Sequence, residues 1–213
     1  MTQTSMGVVY AKRLFDILVS SVLLVFLSPL LILIAGAITL SDRPGGALYC
    51  HERVGRGGRP FSCLKFRTMR VNADTFLPGL LAANVAARAE WELTQKLRHD
   101  PRVSPIGRVL RMSSLDELPQ LWNVLRGDMS LVGPRPVTPG EMLRWYEPLG
   151  AAAAYRAVRP GITGLWQVSG RNSASYERRV ELDCKYVAAL SFRNDLTILL
   201  RTVGAVLRSE GAC

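Results

Sequence analysis

The sequence predicts an α+β fold, mostly helical, with an N-terminal re-entrant (monotopic) membrane helix, one β-hairpin and amphipathic interfacial helices. Three observations predict it. Residues 17–41 form an uncharged run, interrupted by Ser28-Pro29 and flanked by basic residues on both sides. Residues 47–67 read as two strands around Gly55, Gly57 and Gly58. Beyond them, segments of helical period alternate with proline and glycine signals. The chain then divides into an N-terminal arm and membrane helix over 1–41 and one further domain over 42–213. Its 213 residues are enough for one domain of ordinary size.

The apolar run comes first. As one helix its 25 residues reach about 37 Å, enough to cross a bilayer. It is longer than the apolar part of a signal peptide, and no small-x-small cleavage site closes it. Pro29 removes a backbone hydrogen bond in mid-run and costs roughly 3 kcal/mol unless the chain bends there. Lys12 and Arg13 precede the run, and Arg43, Arg53, Arg56 and Arg59 follow it. The positive-inside rule draws both ends to the cytoplasmic face. A helix that enters and leaves by one face satisfies both flanks, and the Ser28 hydroxyl is placed to satisfy a freed carbonyl. A kinked span is the alternative.

Residues 47–54 and 61–67 then form the hairpin, with Lys65 and Arg67 expected on one strand face. Seven basic residues lie between 43 and 70 against one acid, Glu52. They read as a basic edge facing solvent or headgroups, or as a phosphate clamp. Pro78-Gly79 breaks the chain, and an alanine-rich helix follows over 80–97, with Glu92 and Lys96 as an i,i+4 pair. A short helix is expected over 151–157, irregular chain over 162–175 and a polar helix over 176–190. A last helix aligns Leu196, Leu199, Leu200, Val203 and Leu207. That stripe reads first as core packing and second as a face resting on a membrane.

A formal charge of +10 calls for an anionic partner: nucleic acid, acidic headgroups or a phosphorylated substrate. No helix-turn-helix, zinc knuckle or RNA-binding aromatic motif is present, so nucleic acid is not the expected one. Cys50, Cys63, Cys184 and Cys213 form no metal-ligand spacing and read as reduced thiols. His51 and His99 lie far apart and give no zinc signature. Acid, base and nucleophilic work therefore falls to carboxylates.

The carboxylates that stand out are Asp116 and Glu117, in the segment RMSSLDELPQLWNVLRGDMSLVGPRP over 111–136. Ser114 followed by Glu117 matches a capping box, which alone explains Glu117 as a helix-end residue. The neighbourhood argues for chemistry. A carboxylate at a helix N-terminus is expected to be held ionised, as a nucleophile must be, and the same end favours phosphate. Arg111 and Arg135 are near in sequence; Lys65, Arg67 and Arg171 must come from folding. Arginine holds phosphate oxygens bidentately, and Pro134 and Pro136 stiffen the loop around Arg135. Mg²⁺ suits a site offering carboxylate and phosphate oxygens together.

Six ordered motifs now resemble the bacterial sugar transferases, the monotopic polyprenyl-phosphate phosphoglycosyl transferases. They are Glu52-Arg-Val-Gly55, Lys65-Phe-Arg-Thr-Met69, Ser113-Ser-Leu-Asp-Glu-Leu-Pro-Gln120, Gly127 to Pro136, Arg159-Pro-Gly161 and Gly164 to Arg171. The resemblance runs from Tyr10 to the final helix. It implies an enzyme at the cytoplasmic face of the bacterial inner membrane. It would move a sugar-1-phosphate from a UDP-sugar to undecaprenyl phosphate, release UMP and open exopolysaccharide or other glycan assembly. It implies Asp116 as the covalent nucleophile and a Mg²⁺ contact, with Glu117 as the supporting carboxylate and a candidate base. Lys65, Arg67, Arg111, Arg171 and Asp195 become substrate-binding positions, Pro134-Arg135-Pro136 the nucleotide-side loop, and Ser28-Pro29 the helix break. The stretch Leu165–Arg171 and the short N-terminus look most like the galactose and glucose enzymes, with N-acetylhexosamine donors as runner-up. Larger relatives add membrane spans and a soluble domain, so the chain resembles the minimal catalytic form. Further expected partners are inner-membrane lipids and downstream glycosyltransferases; a homodimer is left open. His51 departs from a frequent glutamine. Competing readings are a non-enzymatic membrane-anchored basic protein that binds acidic lipid, a nucleotide-sugar hydrolase and a degenerate family member acting as a binding partner.

Overall fold

The computed structural model describes residues 6–41, 43–94, 97, 99–169 and 174–207. Helix α1 is Met6–Ser41 and contains Pro29. Its 36 residues make a rod of about 54 Å if straight. The expected break at Ser28-Pro29 lies inside one helix rather than between two. Pro29 has no N–H for the Val25 carbonyl one turn back; Ser28 Oγ donates to that carbonyl instead, at 2.8 Å. The local repair that the sequence predicts is present, and it lets the helix continue.

One stripe of α1 packs on the rest of the chain. Phe15, Val19, Leu23 and Leu24 join a core containing Cys63, Leu121, Val124, Met129, Val132, Tyr186 and Ile198. Further along, Ile34 and Ile38 are buried with Phe66 and Leu110. Burying each isoleucine contributes about 2 kcal/mol. Both ends of α1 therefore meet the same body. Near the start, Arg13 donates to the Val124 and Leu125 carbonyls at 2.6 and 2.9 Å. The opposite stripe, including Leu18, Val22, Val25, Phe26, Ile32 and Leu33, is exposed.

The hairpin matches the expectation. Strand β1, Leu48–Val54, pairs antiparallel with β2, Pro60–Phe66. Gly57 and Gly58 turn the chain with φ of 70° and 79°, which glycine adopts without a Cβ penalty. Helix α2, Ala73–Ala83, runs through Pro78, so the predicted break at Pro78-Gly79 is wrong. The break falls at Asn84, whose Oδ1 accepts the Ala87 amide and caps α3, Val85–Thr94. Local capping outweighs the proline signal here. The predicted Lys96 end of that helix lies outside the described residues.

Helix α4, Pro105–Ser113, starts on a Ser104 cap that accepts the Gly107 amide at 2.9 Å. Gly107 sits against the chain at Thr68: an added Cβ would lie 2.0 Å from the Thr68 carbonyl oxygen. Gly107→Ala is expected to cost about 2–4 kcal/mol, read as a fall in the denaturation midpoint. An unchanged midpoint would contradict this packing.

Helix α5, Gln120–Arg126, leads into β3, Ser130–Val132. Helix α6, Pro139–Glu141, continues as one π-turn over Met142–Tyr146, and α7 is Ala152–Ala157. Strand β4, Gly161–Thr163, pairs in parallel with β3. This second two-stranded sheet was not predicted. Strands of three residues carry no readable period, and their pairing rests on close backbone contact. A Cβ on Gly161 would meet the Gly133 nitrogen at 2.1 Å, and one on Gly164 the Gly133 oxygen at 2.2 Å.

Helix α8, Tyr176–Ala188, matches the predicted polar helix, and α9, Phe192–Leu207, ends the described chain. The predicted leucine stripe of α9 is corrected in part: Leu199 packs against the core as expected. Asp195 and Ile198 are buried, whereas Leu196, Leu200 and Val203 are 44%, 70% and 59% exposed. The core takes the edge of the stripe at Leu199 together with Ile198 and leaves Leu196, Leu200 and Val203 at the surface.

Candidate active site

The two carboxylates lie on a 3₁₀ turn, Leu115–Glu117, between α4 and α5. Ser114 ends α4 with φ of 58°, and its hydroxyl caps nothing in the turn that follows. The predicted capping box over 114–117 is therefore absent. The one that forms joins Thr138 and Glu141. Freed from a capping role, Glu117 turns into the cleft.

Glu117 Oε1 accepts from Lys65 Nζ at 2.7 Å, and Arg135 Nη1 stands 3.6 Å from the same oxygen. Burial alone would raise this carboxyl. Lys65 and then Arg135 outweigh it and hold Glu117 down at about 2. A carboxyl depressed in the fold stabilises it above the unfolded value and loses that contribution as pH falls toward about 2. The ceiling is about 3 kcal/mol, reduced because the side chain keeps 21% exposure to screening solvent. Glu117→Gln is expected to flatten the loss of stability between about pH 4.5 and 2 in denaturant titrations. An unaltered slope would mean that this pair is not what holds the cleft.

Asp116 behaves differently. Burial pushes its carboxyl above the ordinary aspartate value; Lys65 pulls it back, Glu117 adds to the rise, and Arg111 and Arg135 lower it. The expected lowering by a helix N-terminus is thus corrected: burial raises the Asp116 carboxyl, and the nearby cations rather than a helix end favour its charged form. Asp116 sits four residues ahead of Gln120, where α5 begins, on a turn without an aligned helix dipole. Among the described residues Asp116 makes no hydrogen bond and no ion pair through its side chain. It is a carboxylate left free among three cations.

Each cation is placed by identifiable packing. Lys65 rides on β2, which α5 pins through the fully buried Asn123. Its Oδ1 accepts the Leu64 amide at 2.9 Å and its Nδ2 donates to the Ser62 carbonyl at 2.8 Å. Arg111 Nε donates to Thr68 Oγ1 at 3.0 Å, on the segment that Gly107 packs against. Arg135 sits between Pro134 and Pro136 on the loop after β3. The glycine contacts of β3 and β4 set that loop: Gly133 N donates to Thr163 O at 2.9 Å and Gly161 N to Pro134 O at 2.8 Å. A cleft lined by Arg53, Cys63, Lys65, Glu117, Gln120, Arg135, Pro136 and Ile162 opens at two of these cations, Lys65 and Arg135, with Asp116 next to its Glu117 wall.

Three predicted positions fare otherwise. Arg67 is spent on the Gly46 and Leu48 carbonyls at 3.0 and 3.2 Å and lies over the Tyr49 ring. Strand β2 ends at Phe66, so the alternation that placed Arg67 beside Lys65 stops one residue short. Asp195 is buried and makes its contacts elsewhere: Lys12 donates to it, and Tyr186 OH donates at 2.8 Å. It ties α9 to the start of α1. Arg171 lies outside the described residues.

The sequence reading missed Arg53 as a cleft residue, and also Gln120, Glu141 and the aromatic groups beside Arg135. Arg53 Nη1 bridges Glu141 at 3.0 Å and the Pro136 carbonyl at 3.1 Å. Its Nη2 meets His51 Nδ1 at 3.1 Å, so His51 is part of this support. The Glu-Arg-Val-Gly motif was the available signal. No group of three His, Cys, Asp or Glu side chains among the described residues forms a metal cage. Mg²⁺ does not need one, since one or two carboxylates plus substrate phosphates and water complete its shell. The free Asp116 carboxylate fits that donor set.

Residues 8–209 match the family model described as bacterial sugar transferase. The chain is 50% identical over 204 residues to the UDP-galactose-lipid carrier transferase of Erwinia amylovora, covering 95% of this chain and 42% of that protein. It is 50% identical over 202 residues to the exopolysaccharide production protein ExoY of Sinorhizobium fredii, covering 95% and 88%. Against the UDP-glucose:undecaprenyl-phosphate glucose-1-phosphate transferase of Caulobacter vibrioides, identity is 41% over 206 residues, covering 94% and 71%. The chain thus spans less than half of the Erwinia protein and most of ExoY. A match over nearly the whole chain, both to the family model and to relatives of about the same length, places this protein in the bacterial sugar transferase family.

Proposed function

We propose that this protein transfers hexose-1-phosphate, galactose or glucose, from a UDP-sugar to undecaprenyl phosphate. UDP-N-acetylhexosamine is the runner-up donor. The observation that carries the reading is the contrast between the two carboxylates. Asp116 is free and surrounded by Lys65, Arg111 and Arg135; Glu117 is ionised and bound.

In the first step an Asp116 oxygen attacks the β-phosphorus of the donor. The bond from that phosphorus to the bridging oxygen breaks, and UMP leaves with its electron pair. Lys65, Arg111 and Arg135 offset the charge that gathers on the phosphoryl and leaving oxygens. In the second step an oxygen of undecaprenyl phosphate attacks the same phosphorus and frees Asp116. Mg²⁺, held by Asp116 and substrate phosphates, would supply further charge neutralisation. Glu117 is a poor proton acceptor when held at about 2. A phosphate monoester with a second pKa near 6 is largely ionised at neutral pH and needs no strong base. Glu117 is better read as the fixed anion that gathers Lys65 and Arg135.

The membrane arrangement belongs to the same proposal. Helix α1 carries an apolar stretch over Val9–Ser41. Support for a re-entrant anchor, entering and leaving at the cytoplasmic face of the inner membrane, comes from contacts at both of its ends. Lys12 and Arg13 bind the same body that Ile34 and Ile38 pack against. The exposed leucines of α9 and Val109, Met112 and Trp122 suit the interface beside it. Cysteines introduced at Thr4 and Arg59, in a background without native cysteines, are expected to be shielded from impermeant thiol reagents in intact cells. Labelling of Thr4→Cys alone would instead mean a span.

The function is tested by UMP release from purified protein in detergent with Mg²⁺. UDP-galactose, UDP-glucose and their N-acetyl counterparts are compared with and without undecaprenyl phosphate. Lipid-dependent turnover with one donor is the expected result. Acidic-lipid binding by folded protein, with no turnover of any donor, would favour the non-enzymatic reading.

A further inference from the structure

Arg179, on α8, occupies a position that no function assigned above uses. Its guanidinium carbon lies 4.7 Å from the Trp166 ring centroid and 5.0 Å from that of Tyr176, so two aromatic groups flank it. Tyr176 is itself stacked on Trp145, with centroids 4.7 Å apart and planes 10° apart. Arg179 Nε donates to the Ala174 carbonyl at 3.1 Å, which fixes the plane of the group. Among the described residues it forms no salt bridge. The nearby carboxylate, Glu141, is already shared by Arg53, Tyr176 OH and the Thr138 amide.

The same Trp166 ring carries a second cation. Arg135 lies 5.9 Å from its centroid, and Arg135 also reaches Glu117. Two guanidinium groups thus meet at one ring at the edge of the cleft, with Glu117 facing only the first. Glu141 acts on both arginines, but its oxygens already receive Arg53, Tyr176 OH and the Thr138 amide, so the two half-buried like charges still favour an anion that joins them. Aromatic flanking pre-orients the planar fork, which lowers the entropy lost when it grips phosphate oxygens.

We infer that Arg179 is a second phosphate-binding arginine that, together with Arg135, holds the nucleotide phosphate of the donor and of departing UMP. The inference rests on the transferase reading for the identity of the ligand. Its place is on the leaving side: Lys65 and Arg111 attend Asp116, while Arg179 touches neither carboxylate and reaches the cleft through Arg135 and Trp166. Undecaprenyl phosphate carries the same chemistry and is the alternative source of the phosphate.

The test titrates UMP directly into wild type, Arg179→Gln and Arg179→Lys by calorimetry, and measures KM for the UDP-sugar and for undecaprenyl phosphate. A charge-assisted contact to phosphate predicts roughly 10–100-fold weaker UMP binding in Arg179→Gln, with a matching rise in KM for the donor. Arg179→Lys, which keeps the charge and loses the fork, should recover part of that loss. KM for the lipid should stay unchanged. If Arg179→Gln does not fold, weaker UMP binding by folded Arg179→Lys carries the test. Unaltered UMP affinity in either folded variant overturns the inference, as does a rise confined to KM for undecaprenyl phosphate. Failure of the transferase reading looks different: wild type would turn over no donor. Arg179-dependent UMP binding would still support the phosphate site in that case.

Discussion

Asp116→Asn is expected to reduce lipid-dependent UMP release by about 10³-fold or more, with little change in thermal stability. The amide keeps the size of the carboxylate and removes the oxygen charge that attacks phosphorus. Stability should hold because Asp116 makes no side-chain hydrogen bond or ion pair among the described residues. Burial raises its carboxyl, so removing the charge also removes a group that the fold partly disfavours. Donor binding should survive, since Lys65, Arg111 and Arg135 remain. The informative pattern is therefore a collapse of kcat with KM for the UDP-sugar nearly unchanged. A variant that keeps a tenth of wild-type turnover would remove Asp116 from the bond-making role.

Arg135→Ala is the second large effect, with an expected fall of about 10²–10³ in kcat. Arg135 stands 3.6 Å from Glu117 and at the edge of the Trp166 ring, on a loop that two prolines and the β3–β4 contact hold in place. Glu117 would lose one of its two main counter-charges, so its carboxyl should rise from about 2 while Lys65 still lowers it. Arg135→Lys should restore part of the rate, because charge returns and the bidentate fork does not. Equal losses in Arg135→Lys and Arg135→Ala would show that fork geometry, rather than charge, is what matters. No loss in either would contradict the cleft as drawn.

The contrast between the carboxylates was only half legible in the sequence. Their adjacency and the surrounding motifs pointed to Asp116 and Glu117. The pattern Ser114 to Glu117 also spelled a capping box, and local pattern cannot tell whether a glutamate turns back to its own backbone or across to Lys65. That choice is tertiary: β2 arrives because Asn123 pins it. Arg67 failed for the opposite reason. Strand alternation was applied one residue past the end of β2, and Arg67 closes the loop at Gly46 instead.

The hairpin and Ser28-Pro29 were readable because their physics is local: positive φ at Gly57 and Gly58, and one missing amide at Pro29. The β3–β4 pair was not, since each strand has three residues and its register depends on glycines far apart in sequence. Helix α9 has two neighbouring apolar stripes, and period alone does not say which one faces the core. Asp195 shows a related limit. A buried acid on a motif-rich helix looks the same in sequence whether it binds substrate or, as its contacts show, receives Lys12 and Tyr186.

Capture of the phospho-sugar on Asp116 tests the central claim most directly. Wild-type protein is mixed with its UDP-sugar and Mg²⁺ in the absence of lipid, quenched, digested with trypsin and analysed by mass spectrometry. The tryptic peptide Met112–Arg126 contains Asp116 and Glu117. The account predicts that this peptide gains the mass of one hexose phosphate less one water at Asp116, with UMP released up to one equivalent per protein. The adduct should disappear on adding undecaprenyl phosphate and never form in Asp116→Asn. Lipid-dependent turnover with no adduct, persisting in Asp116→Asn, would mean direct transfer between substrates and would contradict the account.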